Sequence, residues 1–87
     1  MTEKNWDSFQ EKLDETHQWP CQYTFKCVIR AEYYCELEKL KVRGEHSIRQ
    51  SKGGKYLSFT LQFEAQSSDD VLSVYREASA IPGAVLL

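Results

Sequence analysis

The chain predicts an α+β fold of the ferredoxin-like kind: a four-stranded antiparallel sheet with two helices on one face, plus a short N-terminal helix. Two segments of period-two apolar patterning, beginning at Cys21 and at Lys55, carry the first half of that reading. The other half is the order of elements: strand, helix, strand, strand, helix, strand, with Gly53-Gly54 at its middle. Two strand-helix-strand units joined by a hairpin make this arrangement. With 87 residues, the chain has room for one core.

Taken in order, residues 1–18 form an N-terminal helical extension and residues 19–87 the ferredoxin-like domain. Trp6, Phe9 and Leu13 recur three and four apart, an apolar stripe on a helix over 5–16 with Asn5 as its N-cap. Pro20 stops it. Such a terminal helix either packs on the domain or frays from it.

From Cys21, the residues Cys21, Tyr23, Phe25, Cys27 and Ile29 share one face, and Gln22, Thr24, Lys26 and Val28 the other. Residues 31–41 read as a helix whose stripe is Tyr33, Tyr34, Leu37 and Leu40. Its acids lie early and its lysines late, matching the helix dipole, and Gly44 ends the segment. Residues 45–51 are polar around Ile48, which suits an edge strand. Gly53-Gly54 then turns the chain into the clearest strand, where Leu57, Phe59, Leu61 and Phe63 alternate with polar residues.

Ser67-Ser68-Asp69-Asp70 starts a helix: a serine caps and the acids occupy the positive first turn. Val71, Leu72, Val74, Tyr75 and Ala78 are its buried side, Pro82-Gly83 stops it, and residues 84–87 supply a last strand. The two strongly patterned strands belong in the middle of the sheet and the other two at its edges. The face away from the helices then carries Thr24, Lys26, Val28, Tyr56, Ser58, Thr60 and Gln62.

Several functions are disfavoured by composition. The formal net charge is −2, so no overall attraction to nucleic acid or acidic lipid follows. No apolar run approaches the roughly 20 residues of a membrane helix, and the polar N-terminus has no signal-peptide core. The expectation is a cytoplasmic protein without membrane or nucleic-acid partners. The odd cysteine count and the spacing of Cys21, Cys27 and Cys35 agree with a reducing compartment.

Motif spacing narrows the chemistry further. His17, His46 and the cysteines lack the paired spacing of a structural zinc site. Cys21 and Cys27 share parity with core aromatics, which makes them packing residues rather than nucleophiles. An RNA-reading third strand needs exposed rings, and aligned on Lys52-Gly53 this chain has Gly54 where an aromatic belongs. Acylphosphatase chemistry on this fold needs a glycine-rich anion loop, an arginine and an asparagine. Arg30 follows the first strand, but no glycine accompanies it and the only asparagine is Asn5. The expectation is a protein with no catalytic residues, no metal and no cofactor.

One basic patch stands out in this acidic chain: Arg43, His46, Arg49, Lys52 and Lys55 around the turn. Cations on an edge strand deter sheet-to-sheet pairing. They also suit an acidic partner or a small anionic ligand, with the Ser51-Lys52-Gly53-Gly54-Lys55 turn presenting N–H groups and lysines. The candidate surface is Arg43, Arg49, Ser51, Lys52, Gly53, Gly54, Lys55 and Tyr56.

Trp19-Pro20, then Tyr23-Thr24-Phe25-Lys26-Cys27-Val28-Ile29, then Arg49-Gln50-Ser51-Lys52-Gly53-Gly54-Lys55-Tyr56-Leu57-Ser58, Ser68-Asp69-Asp70-Val71 with Tyr75, and Ile81-Pro82-Gly83-Ala84-Val85 together resemble the YbeD-like family of small bacterial proteins of unknown function. The likeness spans residues 19–87, and the Ser-x-x-Gly-Lys-Tyr-x-Ser hairpin is its most specific part. It implies the same βαββαβ fold, similar to the ACT regulatory domains of amino-acid metabolism, and it supplies no catalytic residues. ACT domains keep a glycine after the first strand, where Ile29-Arg30-Ala31-Glu32 has none. The function expected is a small regulatory or adaptor domain acting through protein contacts. The alternative is a sensor for an anionic metabolite or amino acid, with its site at a homodimer interface.

Overall fold

The computed structural model describes residues 6–87. The elements are helix α1 (Trp6–Thr16), strand β1 (Cys21–Arg30), a 3-10 turn (Ala31–Leu37) running into helix α2 (Glu38–Lys41), strands β2 (Glu45–Gln50) and β3 (Tyr56–Ala65), helix α3 (Ser68–Ser79) and strand β4 (Val85–Leu86). The sheet order is β2-β3-β1-β4, antiparallel throughout. The strongly patterned strands are central and the others are edges, as a ferredoxin-like fold requires. The expected cap at Asn5 lies outside the described residues.

β1 and β3 pair without a break from Cys21↔Ala65 to Arg30↔Tyr56. Directly opposed residues point to one face, so Phe25 with Leu61, Cys27 with Phe59 and Ile29 with Leu57 all face the helices. These six are at most 4 % exposed. Leu37, Leu40, Val71, Leu72, Val74 and Ala78 close the core from above.

α3 begins as its sequence requires. The Ser67 hydroxyl accepts from the Asp70 N–H, and the Asp70 carboxylate accepts in return from the Gln66 N–H at 2.7 Å. Two N–H groups at the helix start are satisfied in this reciprocal way.

The connection after β1 departs from the expected helix over 31–41. Only its last four residues are α-helical, and Tyr33 leaves helical geometry at φ −99°, ψ 19°. The Tyr33-Tyr34-Cys35 run is made of weak helix formers, and there the chain takes the tighter 3-10 turn before the α-helical Glu38–Lys41. Of the expected stripe, Leu37 and Leu40 are buried while Tyr34 is 43 % exposed. The Tyr34 hydroxyl accepts from Lys41 Nζ at 2.8 Å.

α1 docks on α3. Leu13 is buried, and Trp6 and Phe9 lie against Tyr75 with ring centroids at 6.2 and 5.0 Å. Gln10 Nε2 donates to Ser68 Oγ at 3.0 Å and to Asp69 Oδ1 at 2.9 Å. The Trp19–Pro20 peptide is cis, and Trp19 Nε1 donates back to Asp14. β4 is shorter than its sequence suggested: it pairs only Cys27↔Leu86 and Val28↔Val85, followed by one bond from the Leu87 N–H to the Lys26 carbonyl.

Candidate functional site

The hairpin and the open sheet face are the surfaces the sequence points to. The loop 52–55 is clasped by Ser51. Its N–H donates to the Tyr56 carbonyl, its hydroxyl accepts from the Tyr56 N–H at 3.1 Å, and its carbonyl accepts from the Gly54 N–H at 2.9 Å. Gly53 and Gly54 hold φ of +92° and +76°, the left-handed region where a side chain is strained. Ala31 N–H donates to the Lys55 carbonyl and ties the loop base to the end of β1. Ser51, Gly53 and Gly54 therefore shape the loop. Since the Gly54 N–H is already engaged, what the loop presents outward is the exposed Lys52 and Lys55 side chains, with Tyr56 beside them at 45 % exposure.

The basic residues do not form one patch. Arg43 sits at the opposite end of β2 from the hairpin, and its guanidinium is 3.3 Å from Glu77 of α3. Sequence proximity grouped it with the loop, but a six-residue strand separates them. His46 turns to the helix side, its ring 6.1 Å from that of Phe59. Arg49 lies opposite Ser58 and so belongs to the open face.

That register also brings in Ser47, which the sequence reading passed over, and joins Arg49 to the open-face residues. Ser47 lies opposite Thr60, and Thr60 lies opposite Lys26. A shallow depression of about 390 Å³ opens there, lined by Lys26, Ser47, Arg49, Ser58, Thr60 and Leu87. Parity alone would have placed Ser47 and Arg49 on this face had β2 been aligned to β3 through Ile48 and Phe59.

Of the three free cysteines, Cys27 is buried, Cys21 half-buried and Cys35 exposed. Cys27 is fully buried on the helix side of β1, and burial pushes its thiol up to about 11. It stays protonated at neutral pH and is a poor nucleophile. Among the described residues, no group of three or more His, Cys, Asp or Glu side chains gathers as a metal site. Nor is any helix there long and apolar enough to cross a membrane.

The Cys27 thiol has a stability consequence. Its folded value of about 11 lies above the ordinary thiol value of 9.0, so the stability it contributes is fully present below pH 9 and lost as pH rises toward 11. Two pH units at about 1.4 kcal/mol each give a loss of about 3 kcal/mol. Tyr75, raised mainly by burial and then by its hydrogen bond to Tyr23, adds to the alkaline loss at higher pH. Urea midpoints at pH 8 and pH 10.5 should fall less steeply for Cys27→Ala than for the parent chain. Equal slopes would remove the thiol from the account.

A family model described as "Protein of unknown function (DUF493)" matches residues 14–87. The chain belongs to the DUF493 family. This agrees with the YbeD-like resemblance read from the hairpin and the strand motifs. A "UPF0250 protein" from Shewanella sediminis (strain HAW-EB3) is 30% identical over 79 residues, covering 83% of this chain and 90% of that protein. No solved structure matches the chain. The DUF493 match starts at Asp14, so most of α1 precedes it while the whole sheet, the hairpin and α3 fall within it.

Proposed function

We propose that this protein is a non-enzymatic regulatory or adaptor module of the bacterial cytoplasm, acting by contact with other proteins at its hairpin and β2 edge. The observation that carries the reading is the state of that edge. Five of the six β2 residues are exposed, and the strand runs without interruption into a loop displaying Lys52, Lys55 and Tyr56. An outer strand with free backbone groups is a template for strand addition, and the flanking cations select an acidic partner. The shallow open depressions support it as well, because a catalytic site needs convergent groups in a water-excluding cleft. The ACT-like resemblance points to regulation by the same route.

Affinity capture from a bacterial lysate tests this, with the parent chain beside a Lys52→Glu/Lys55→Glu variant. Both lysines are exposed, so the variant is expected to fold. A discrete protein retained by the parent and reduced at least tenfold by the variant is the expected result. Retention of nothing above a blank matrix, or equal retention by both, overturns the reading.

A further inference from the structure

We infer that the open sheet face carries a binding site for a small oxyanion of the phosphate-monoester class, built from Lys26, Arg49, Ser47, Ser58 and Thr60. It lies on the open face of the hairpin strands and β1, away from the loop lysines, and goes beyond the adaptor reading.

The register places these residues as a grid. Lys26, Thr60 and Ser47 form one row across β1, β3 and β2, and Ser58 and Arg49 form part of the next. Neighbouring strands are ~4.8 Å apart and alternate residues along a strand ~6.7 Å, so the two cations stand diagonally about 12 Å apart at their backbones. Their long side chains rise from opposite sides of a floor made by three hydroxyls. All five line the same depression of about 390 Å³.

Chemistry selects the ligand. Lysine and arginine offer only donors, and each hydroxyl can donate, so the site is complementary to a group rich in acceptors and negative charge. Among the described residues, none of these five side chains has a hydrogen-bond or ion-pair partner. Among the described residues, Arg30, Lys41 and Arg43 are each within 4 Å of a carboxylate, whereas Lys26 and Arg49, like the other lysines and arginines, are not; what sets these two apart is that they flank hydroxyls on one sheet face. Protection of a sheet edge accounts for Arg49 on β2, but not for Lys26, which stands on the central strand β1. A cation there with hydroxyls for neighbours is explained by something that sits on the face.

Backbone amide shifts of the isotopically labelled full chain, followed while inorganic phosphate is added at constant ionic strength, test the site. Saturable shifts centred on residues 47, 49, 58 and 60 are expected, with a Kd in the millimolar range that suits a small open site. Lys26→Gln/Arg49→Gln should weaken binding at least tenfold, whereas Lys39→Gln, which removes an exposed charge elsewhere, should leave it unchanged. Acetate in place of phosphate should bind at least tenfold more weakly. Shifts that grow linearly without saturating, undiminished affinity in the double variant, an equal loss in Lys39→Gln, or acetate as tight as phosphate would each overturn the inference.

Discussion

Gly44→Ala is expected to destabilise the domain by about 3 kcal/mol, the upper end of what overpacking does to a well-packed structure. A Cβ at this position would lie 2.3 Å from the Gln62 carbonyl oxygen and 2.9 Å from Phe63 Cβ. The nearest obstacle is backbone of the central strand β3, which is held by β1 on its other side and cannot swing away. β2 must therefore lift from β3 at its first pairs, beginning with Glu45↔Gln62. Thermal unfolding reads this as a fall of roughly 15 °C, since 1 kcal/mol moves a domain of this size by about 4–8 °C. Gly53→Ala is the control. Nothing stands within 4 Å of a Cβ there, so only its left-handed φ is penalised, at about 1–2 kcal/mol. If the two variants lose the same stability, the close approach at Gly44 is not what the position requires.

Tyr75→Ala is the second large effect, at about 3 kcal/mol, the low end for aromatic truncations because the ring is only partly buried. The ring contacts Phe25 of β1 at 4.9 Å edge-on, Phe9 at 5.0 Å and Trp6 at 6.2 Å, both on α1. Its hydroxyl is 3.1 Å from that of Tyr23. One side chain thus joins the core to α1, and its loss leaves Trp6 and Phe9 without that ring to pack on. Tyr75→Phe keeps the ring and removes only the hydroxyl bond, worth about 1 kcal/mol. Urea unfolding of the two variants separates packing from hydrogen bonding. A parallel tryptophan emission measurement should show a red shift at neutral pH for Tyr75→Ala and none for Tyr75→Phe. Equal losses of stability would mean that the hydroxyl, not the ring, is what matters.

Much of this protein was legible in its residues, because each readable feature depends on neighbours close in sequence. The alternation from Phe25 to Ile29 and from Leu57 to Phe63 places those side chains on one face whatever the partner strand. Ser67 and Asp70 cap a helix through bonds that span four residues. The glycines of the turn answer to backbone angles set by the turn itself. Strand order followed from the same local facts, since a weakly patterned strand such as β2 cannot be buried on both sides.

What depended on distant parts of the chain was hidden. Gly44 reads as a helix stop, yet it is required by the approach of Gln62 from another strand. Arg43 reads as part of a basic patch, and Glu77 of α3 holds it at the far end of the sheet. Docking of α1 needed Tyr75 to be in place on α3, and the grouping of Lys26 with Arg49 needed the register of three strands. Local pattern determines which face of each element is apolar; the assembled sheet determines which polar groups meet on the other side, because only pairing fixes where one strand stands against the next.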